Sequence, residues 1–342
     1  MEILIVENAP VEVERWQGES ASDRGVEKAA ASVKAALTRK GFSVSTLKIG
    51  KDPQPLLDWL KAHNPQLVFN LCETICGNSK LEPAVPYLLK WLDFIITGNP
   101  PEILTLLVDK AKTKHLLKSM GFPTPEFAAI QENNDLRNWR SWPAILKPCA
   151  EDASLGIDRG SVVGDSTAAK ARFELLATSF GVPVLIEAFI AGRELNVAIL
   201  ETESGLQTAI NEIDFTDLPA GIPKIVTYNG KWDENSIECK ATPVKSPANL
   251  YPELDVKIRD IAKGVYREFG LEGYARIDFR IDEEGKPWVL EINPNPDLSE
   301  NAGFSKSLAE MHLDYDTAIE CLIKSALRNA DAKKTEKGGK PR

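Results

Sequence analysis

Histidine is scarce in this chain, three in 342 residues, and the five cysteines (Cys72, Cys76, Cys149, Cys239, Cys321) include no CxxC pair. That poverty argues against a zinc site and a disulfide scaffold, and makes reduced thiols in a cytoplasmic protein the expectation. Excess positive charge is also missing. The formal net charge is −9, which argues against non-specific binding to nucleic acid or to an acidic membrane surface. No apolar run is long enough to span a bilayer, because the most apolar stretch, Tyr87 to Gly98, is interrupted by Lys90 and Asp93. Met1 to Glu7 lacks the basic-then-apolar order of a secretion signal and reads as a buried strand. Residues 329–342 carry Lys and Gly without an apolar period and are expected to form a disordered tail.

What is present suits a globular protein of two or three domains, with 43% hydrophobic residues. The first hundred residues alternate strand and helix signals. Strand Ile3–Val6 precedes a helical stripe of Val26, Ala30, Val33 and Leu37 that Gly41 stops. Strand Phe42–Ile49, helix Leu56–His63, strand Leu67–Leu71, helix Val85–Leu92 and strand Phe94–Thr97 follow. This rhythm predicts an α/β domain whose parallel sheet is covered on both faces. Ligands of such sheets meet loops at the strand carboxyl ends, here Cys72 to Pro83. Beyond it the sequence predicts helix Lys110–Met120, strand Ala144–Lys147, the polar loop Pro148–Gly160, and strands Val184–Ile190 and Glu194–Leu200. A long polar connection from Asp214 to Pro252, helix Asp255–Phe269 and a closing helix Ser305–Leu327 complete the expectation.

The segment from Tyr274 to Asp297 carries the most chemistry. It predicts two strands joined by a polar turn at Asp282–Lys286. Side chains alternate faces along a strand, so Arg276 and Asp278 share one face, as do Glu291 and Asn293. If those faces coincide, an arginine, two carboxylates and an amide oxygen converge. Such oxygen donors suit Mg²⁺ (or Mn²⁺) bridging nucleotide phosphates, and the arginine suits an anionic intermediate. A surface hairpin with ordinary alternating polar residues would show the same spacing.

Taken in order, several motifs resemble the ATP-grasp superfamily, and specifically the D-alanine–D-alanine ligase-like enzymes. They are Val108-Asp109-Lys110 with Lys114, Ile145-Leu146-Lys147-Pro148, Glu151-Asp152-Ala153-Ser154-Leu155-Gly156, Ile186-Glu187-Ala188-Phe189-Ile190, Gly192-Arg193-Glu194-Leu195 and Tyr228-Asn229-Gly230-Lys231-Trp232, followed by the Tyr274–Asp297 strands. The resemblance runs from about Leu67 to Leu327. It implies an N-terminal parallel β/α domain over residues 1–100, then an α+β ATP-grasp fold in two subdomains, 101–183 with a phosphate lid and 184–328 with the catalytic residues.

The resemblance also implies roles. Lys110, Lys147 and Lys231 would reach the phosphates of ATP, an ammonium on a flexible stem being suited to a moving phosphate. Glu151–Gly156 would close as a lid, with Ser154 adding a hydroxyl. The backbone of the hinge Glu187-Ala188-Phe189-Ile190 would pair with the purine edge, Glu187 would accept from the adenine amino group, and Glu194 would bind the ribose. Asp278, Glu291 and Asn293 would be the Mg²⁺ ligands. Arg276, with Lys231 and Ser154, would form the catalytic set that stabilises an acyl phosphate and a tetrahedral oxyanion. Such chemistry needs no nucleophilic side chain, and Cys149 has no histidine nearby in sequence.

Departures gather around the carboxyl substrate. The loop Glu7–Asp23 lacks the family's Gly-rich, Ser- and Glu-containing pattern, and Ala153-Ser154 stands where two serines are usual. Trp232 replaces a tyrosine and cannot accept a hydrogen bond. Phe69–Gly77 replaces a His- and Gly-rich segment, and Pro294–Phe304 replaces a serine-bearing loop. Glu73, Glu82, Asp297 and Glu300 would make the acceptor pocket acidic and favour a cationic amine, or they are solvated loop carboxylates. Glu73, Trp232, Asp297 and Gly303 are the expected substrate contacts.

The expectation is therefore an ATP-dependent ligase that converts a carboxylate to an acyl phosphate and joins it to an amine, with substrates other than the D-alanine pair. Its partners would be small molecules, with neither nucleic acid nor membrane, and a homodimer is allowed. The alternatives are another ATP-grasp chemistry (a carboxylase or a protein-terminus ligase) and a nucleotide-binding module without catalysis.

Overall fold

The computed structural model describes residues 1–10 and 20–338. The chain opens with β1 (Glu2–Asn8), α1 (Ser20–Arg39), β2 (Ser43–Ile49), α2 (Gln54–His63), β3 (Leu67–Asn70) and α3 (Ala84–Trp91). The strands form a parallel sheet in the order β2-β1-β3. Ile3 to Val6 are completely buried, as a strand covered on both faces requires. α1 buries Val26, Ala30, Val33 and Leu37, and Gly41 adopts φ +83° where the chain turns into β2. The strand expected at Phe94–Thr97 is reduced to a single parallel bridge between Val68 and Ile96. Gly98, Pro100 and Pro101 follow at once, and proline cannot donate to a ladder.

α4 (Pro101–Leu107) and α5 (Lys110–Ser119) lead into a second sheet. The Asp109 side chain caps α5 by accepting from the Lys112 amide. The sheet holds β4 (Phe127–Ile130), β5 (Ala144–Pro148), β6 (Val162–Val163) and, after α6 (Ser166–Phe180), β7 (Val184–Ala188). Its order is β4-β7-β5-β6, antiparallel throughout. Because β7 pairs here, the change of sheet falls after Ala188.

The third sheet is antiparallel in the order β10-β9-β8-β11-β12. Its strands are β8 (Arg193–Thr202), β9 (Gly205–Ile213), β10 (Val244–Lys245), β11 (Tyr274–Ile281) and β12 (Pro287–Asn293). α7 (Tyr228–Trp232) and α8 (Ile237–Lys240) lie within the connection expected to be irregular, and α9 (Pro252–Glu268) precedes β11. The expected closing helix is divided into α10 (Gly303–Lys306) and α11 (Tyr315–Gly338). His312 takes φ +58° between them, and Asp314 starts α11 by accepting from the Thr317 amide at 2.8 Å.

α11 continues through Gly338, so the expected disordered tail is helical over its first ten residues, 329–338. Polar contacts hold it there: Lys333 lies 2.8 Å from Glu272, and Asn329 donates to the same carboxylate at 3.2 Å. Residues 339–342, and most of the loop Glu7–Asp23, lie outside the described residues. Among the described residues no helix is long and apolar enough to cross a membrane.

Candidate active site

A cavity of about 470 Å³ is lined by strands of the two antiparallel sheets. The pairing of β11 with β12 sets Arg276 opposite Asn293 and Asp278 opposite Glu291. Directly opposed residues point to one face, so the four side chains expected to converge do so, and all line the cavity. A bulge between Asp278 and Phe279 ends that register just beyond the site. On its other edge β11 meets β8, placing Asn196 opposite Asp278 and Glu194 opposite Arg280.

These pairings fix the hydrogen bonds. The Arg276 guanidinium grips Asp278 with two bonds of 2.7 and 2.8 Å, and Asn196 Nδ2 donates to Asp278 Oδ1 at 2.8 Å. Burial works against the Arg276 charge, but Asp278 outweighs it and keeps the guanidinium protonated. Arg280, only 3% exposed, lies 2.7 Å from Glu194 and packs against Phe189 and Phe215. Burial nevertheless raises the Glu194 carboxyl above its usual range.

Lysines enter from the other sheet and from α5. Lys110 Nζ sits 2.6 Å from Asp152 and 3.2 Å from Glu291. Burial opposes both charges, yet the ammonium is held well above its usual range by Asp152 and Glu291. Against the same burial penalty, Lys110 and Lys147 pull the Glu291 carboxyl down to about 2. Glu291 also shares a hydrogen bond with Asp152, whose own carboxyl burial pushes up.

Glu187, 2% exposed, is the counter-ion of Lys114 at 2.5 Å and of Lys147 at 3.7 Å. Burial lowers Lys114 to about 8. The ion pair gives Glu187 a task the sequence did not reveal, since it fixes the two lysines beneath the hinge. Ala188, Phe189 and Ile190 line the cavity beside it.

The lid follows β5. Ala153 and Ser154 both adopt left-handed backbone conformations, φ +55° and +61°, which residues with a Cβ rarely do. The segment around α7 bonds to this loop at one point and to the residue just beyond it at another. The Tyr228 amide donates to the Ile157 carbonyl at 2.8 Å, and Trp232 Nε1 donates to the Ala153 carbonyl at 2.9 Å. Lys231 Nζ lies 5.0 Å from the centre of the Trp232 ring system. Burial, with Arg276 next in weight, lowers its pKa.

Asp297, Gly303 and Trp232 line the cavity as expected, whereas Glu73 stands outside its lining. Glu73 remains close enough to act electrostatically on Lys231 and Tyr274. Asp297 accepts from the Ser299 amide and hydroxyl at 2.8 and 2.6 Å. Glu82 is 4% exposed and contacts Asn295, and burial raises its carboxyl well above the usual range. It is therefore not a solvated loop carboxylate.

The sequence reading missed Asn196, Arg280, Asp152 and Lys306 as lining residues. Two of them carried a signal: Asn196 follows Glu194 by two, and Arg280 follows Asp278 by two, on strands whose alternate residues share a face. Asp152 stood inside the quoted loop Glu151–Gly156 and Lys306 inside the expected closing helix, and neither spacing marked it for the cavity.

The donor set also bears on a metal. Asp278, Glu291 and the Asn293 amide offer hard oxygen atoms on one face, and Glu291 stays ionised. Among the described residues no three Asp, Glu, His or Cys side chains gather closely enough to hold a metal ion alone. Mg²⁺ takes one or two carboxylates with water and phosphate oxygens, and the donor set Asp278, Glu291 and Asn293 is of that kind.

Residues 116–324 match the family described as D-ala D-ala ligase C-terminus. The D-alanine–D-alanine ligase of Bordetella petrii is 30% identical over 253 residues, covering 71% of this chain and 73% of that protein. The crystal structure of the D-alanine–D-alanine ligase from Bacillus anthracis complexed with ATP superposes with a TM-score of 0.75 at 18% identity, covering 97% of this chain and 99% of that one. VanG D-Ala:D-Ser ligase from Enterococcus faecalis gives a TM-score of 0.72 at 16% identity, covering 95% and 99%.

Proposed function

This chain belongs to the D-alanine–D-alanine ligase family of ATP-grasp proteins, and from that premise we propose that it is an ADP-forming carboxylate–amine ligase acting on a substrate pair other than two D-alanines. The observation that carries the reading is the β11–β12 register, which brings Arg276, Asp278, Glu291 and Asn293 together beneath Lys110, Lys147 and Lys231. The cavity is rich in charge of both signs, which suits phosphoryl transfer, where positioning and charge neutralisation do most of the work.

In this reading the hinge from Glu187 to Ile190 receives adenine, Glu194 the ribose, and the three lysines the phosphates. Asp278, Glu291 and Asn293 would hold Mg²⁺, which would supply charge neutralisation for the phosphates. Arg276 faces the carboxylate as phosphate is added to it, and then the oxyanion that forms when an amine attacks the acyl carbon and phosphate leaves. Ser154 and the lid backbone cover the site and exclude water from the acyl phosphate. Arg280 and Glu187 orient their neighbours without touching the reacting atoms.

The different substrate pair is supported by Trp232. Its only hydrogen-bonding atom is committed to the lid, so it cannot accept from an ammonium as a tyrosine oxygen could. A cytoplasmic location agrees with the use of ATP and with five free cysteines. The test is an ADP-release screen over carboxylate and amine pairs. ADP formation that needs both partners is expected. ATP binding without turnover on any pair, or turnover that needs bicarbonate, would contradict the reading.

A further inference from the structure

The lid needs a restraint, since Ala153 and Ser154 are both held in left-handed conformations that each cost free energy. The neighbouring side chain that supplies a bond at this point is Trp232, through its indole N–H to the Ala153 carbonyl. The back of the same indole meets the N-terminal domain. A Cβ built on Gly25 of α1 would stand 2.7 Å from two Trp232 ring atoms, so helix and indole are in tight contact and glycine alone fits there. Lys231 reaches over the indole ring on its way to the cavity.

We propose that Trp232 is a positioning residue that couples α1 to the phosphate lid: α1 backs the indole, and the indole N–H fixes the lid backbone at Ala153. The inference rests on the lid being the cover of a nucleotide site, as proposed above. One other contact runs in the same direction: the lid residue Glu151 accepts from Ser79 of the N-terminal domain at 3.1 Å. The lid therefore does not float over the cavity; its position follows that of the N-terminal domain. Any movement of α1 toward or away from the cavity is transmitted to the residues that cover the phosphates.

Trp232→Phe removes the bond and also the outer ring atoms that meet Gly25, because phenylalanine has no N–H and a shorter side chain, whereas Gly25→Ala disturbs the packing side alone. Amide hydrogen exchange across residues 150–157, measured without nucleotide, is expected to speed up in this variant while exchange in β1 and β3 stays unchanged. Mg·ADP, measured by calorimetry, is expected to bind roughly five- to tenfold more weakly, as loss of one partly buried hydrogen bond implies. Gly25→Ala, which displaces the indole from behind, should move both readouts the same way. Unchanged lid exchange in Trp232→Phe overturns the proposal, and so does faster exchange spread over the whole chain. If the wild type fails to bind Mg·ADP, the nucleotide reading falls, and the exchange measurement still decides the coupling. Thermal unfolding identifies a variant that has lost its fold, in which case the other variant decides the question.

Discussion

The two ends of the cavity are built differently. At the proposed nucleotide end the polar groups sit mostly on strands: Lys147 on β5, Glu187 on β7, Glu194 on β8, Arg276 and Asp278 on β11, and Glu291 and Asn293 on β12. At the proposed substrate end the lining residues sit in short helices and loops: Trp232, Asp297 and Gly303. A strand fixes the direction of every second side chain, and an opposed strand fixes its partner. A loop fixes neither. The proposed nucleotide end is therefore specified by strand register, while the proposed substrate end is not.

That contrast can be broken most severely at β12. Glu291→Ala or Asn293→Ala should reduce Mg·ATP turnover by ~100-fold or more, with an unchanged circular dichroism spectrum, because each removes a proposed metal oxygen. Near-normal turnover would remove these residues from the metal site. Lys147→Ala should weaken Mg·ADP binding by about tenfold or more, as loss of a charge-assisted phosphate contact implies. Unchanged affinity by calorimetry would take Lys147 out of the phosphate site.

At the other end Asp297→Asn should reorder which amines support ADP release and leave Mg·ADP affinity unaltered; an equal loss for every amine would mean that Asp297 serves the nucleotide end instead. The smallest effect concerns pH. Lys114 titrates at about 8 in the folded protein against 10.5 for an ordinary lysine. Between those values the unfolded chain binds more protons, so stability rises with pH. Relative to Lys114→Met, the wild type should gain thermal stability as pH is raised through that window, and a flat difference would show that Glu187 keeps Lys114 fully charged.

Legibility followed the same division. Period-two spacing put Arg276 with Asp278 and Glu291 with Asn293 on shared faces, the order of the surrounding motifs made their convergence the expectation, and the β/α rhythm of the first hundred residues indicated the parallel sheet. The bond from Trp232 to Ala153 could not be read, because it joins residues 79 positions apart through an irregular lid. Burial of Glu82 was equally hidden: the sequence shows a loop carboxylate, and packing of the loop against Asn295 decides its environment. The run of α11 beyond Leu327 depends on Glu272, which lies on a distant part of the chain, so its Lys-rich end resembled an unstructured tail.

The central claim is that a carboxylate is activated by phosphoryl transfer from ATP. Its most direct test follows the oxygen of a carboxylate labelled with ¹⁸O, using a substrate pair found in the ADP-release screen. If the carboxylate becomes an acyl phosphate that the amine then displaces, one labelled oxygen must appear in inorganic phosphate for each ADP formed. Phosphate that draws its fourth oxygen from water alone would mean that ATP is merely hydrolysed in this cavity, and would contradict the account.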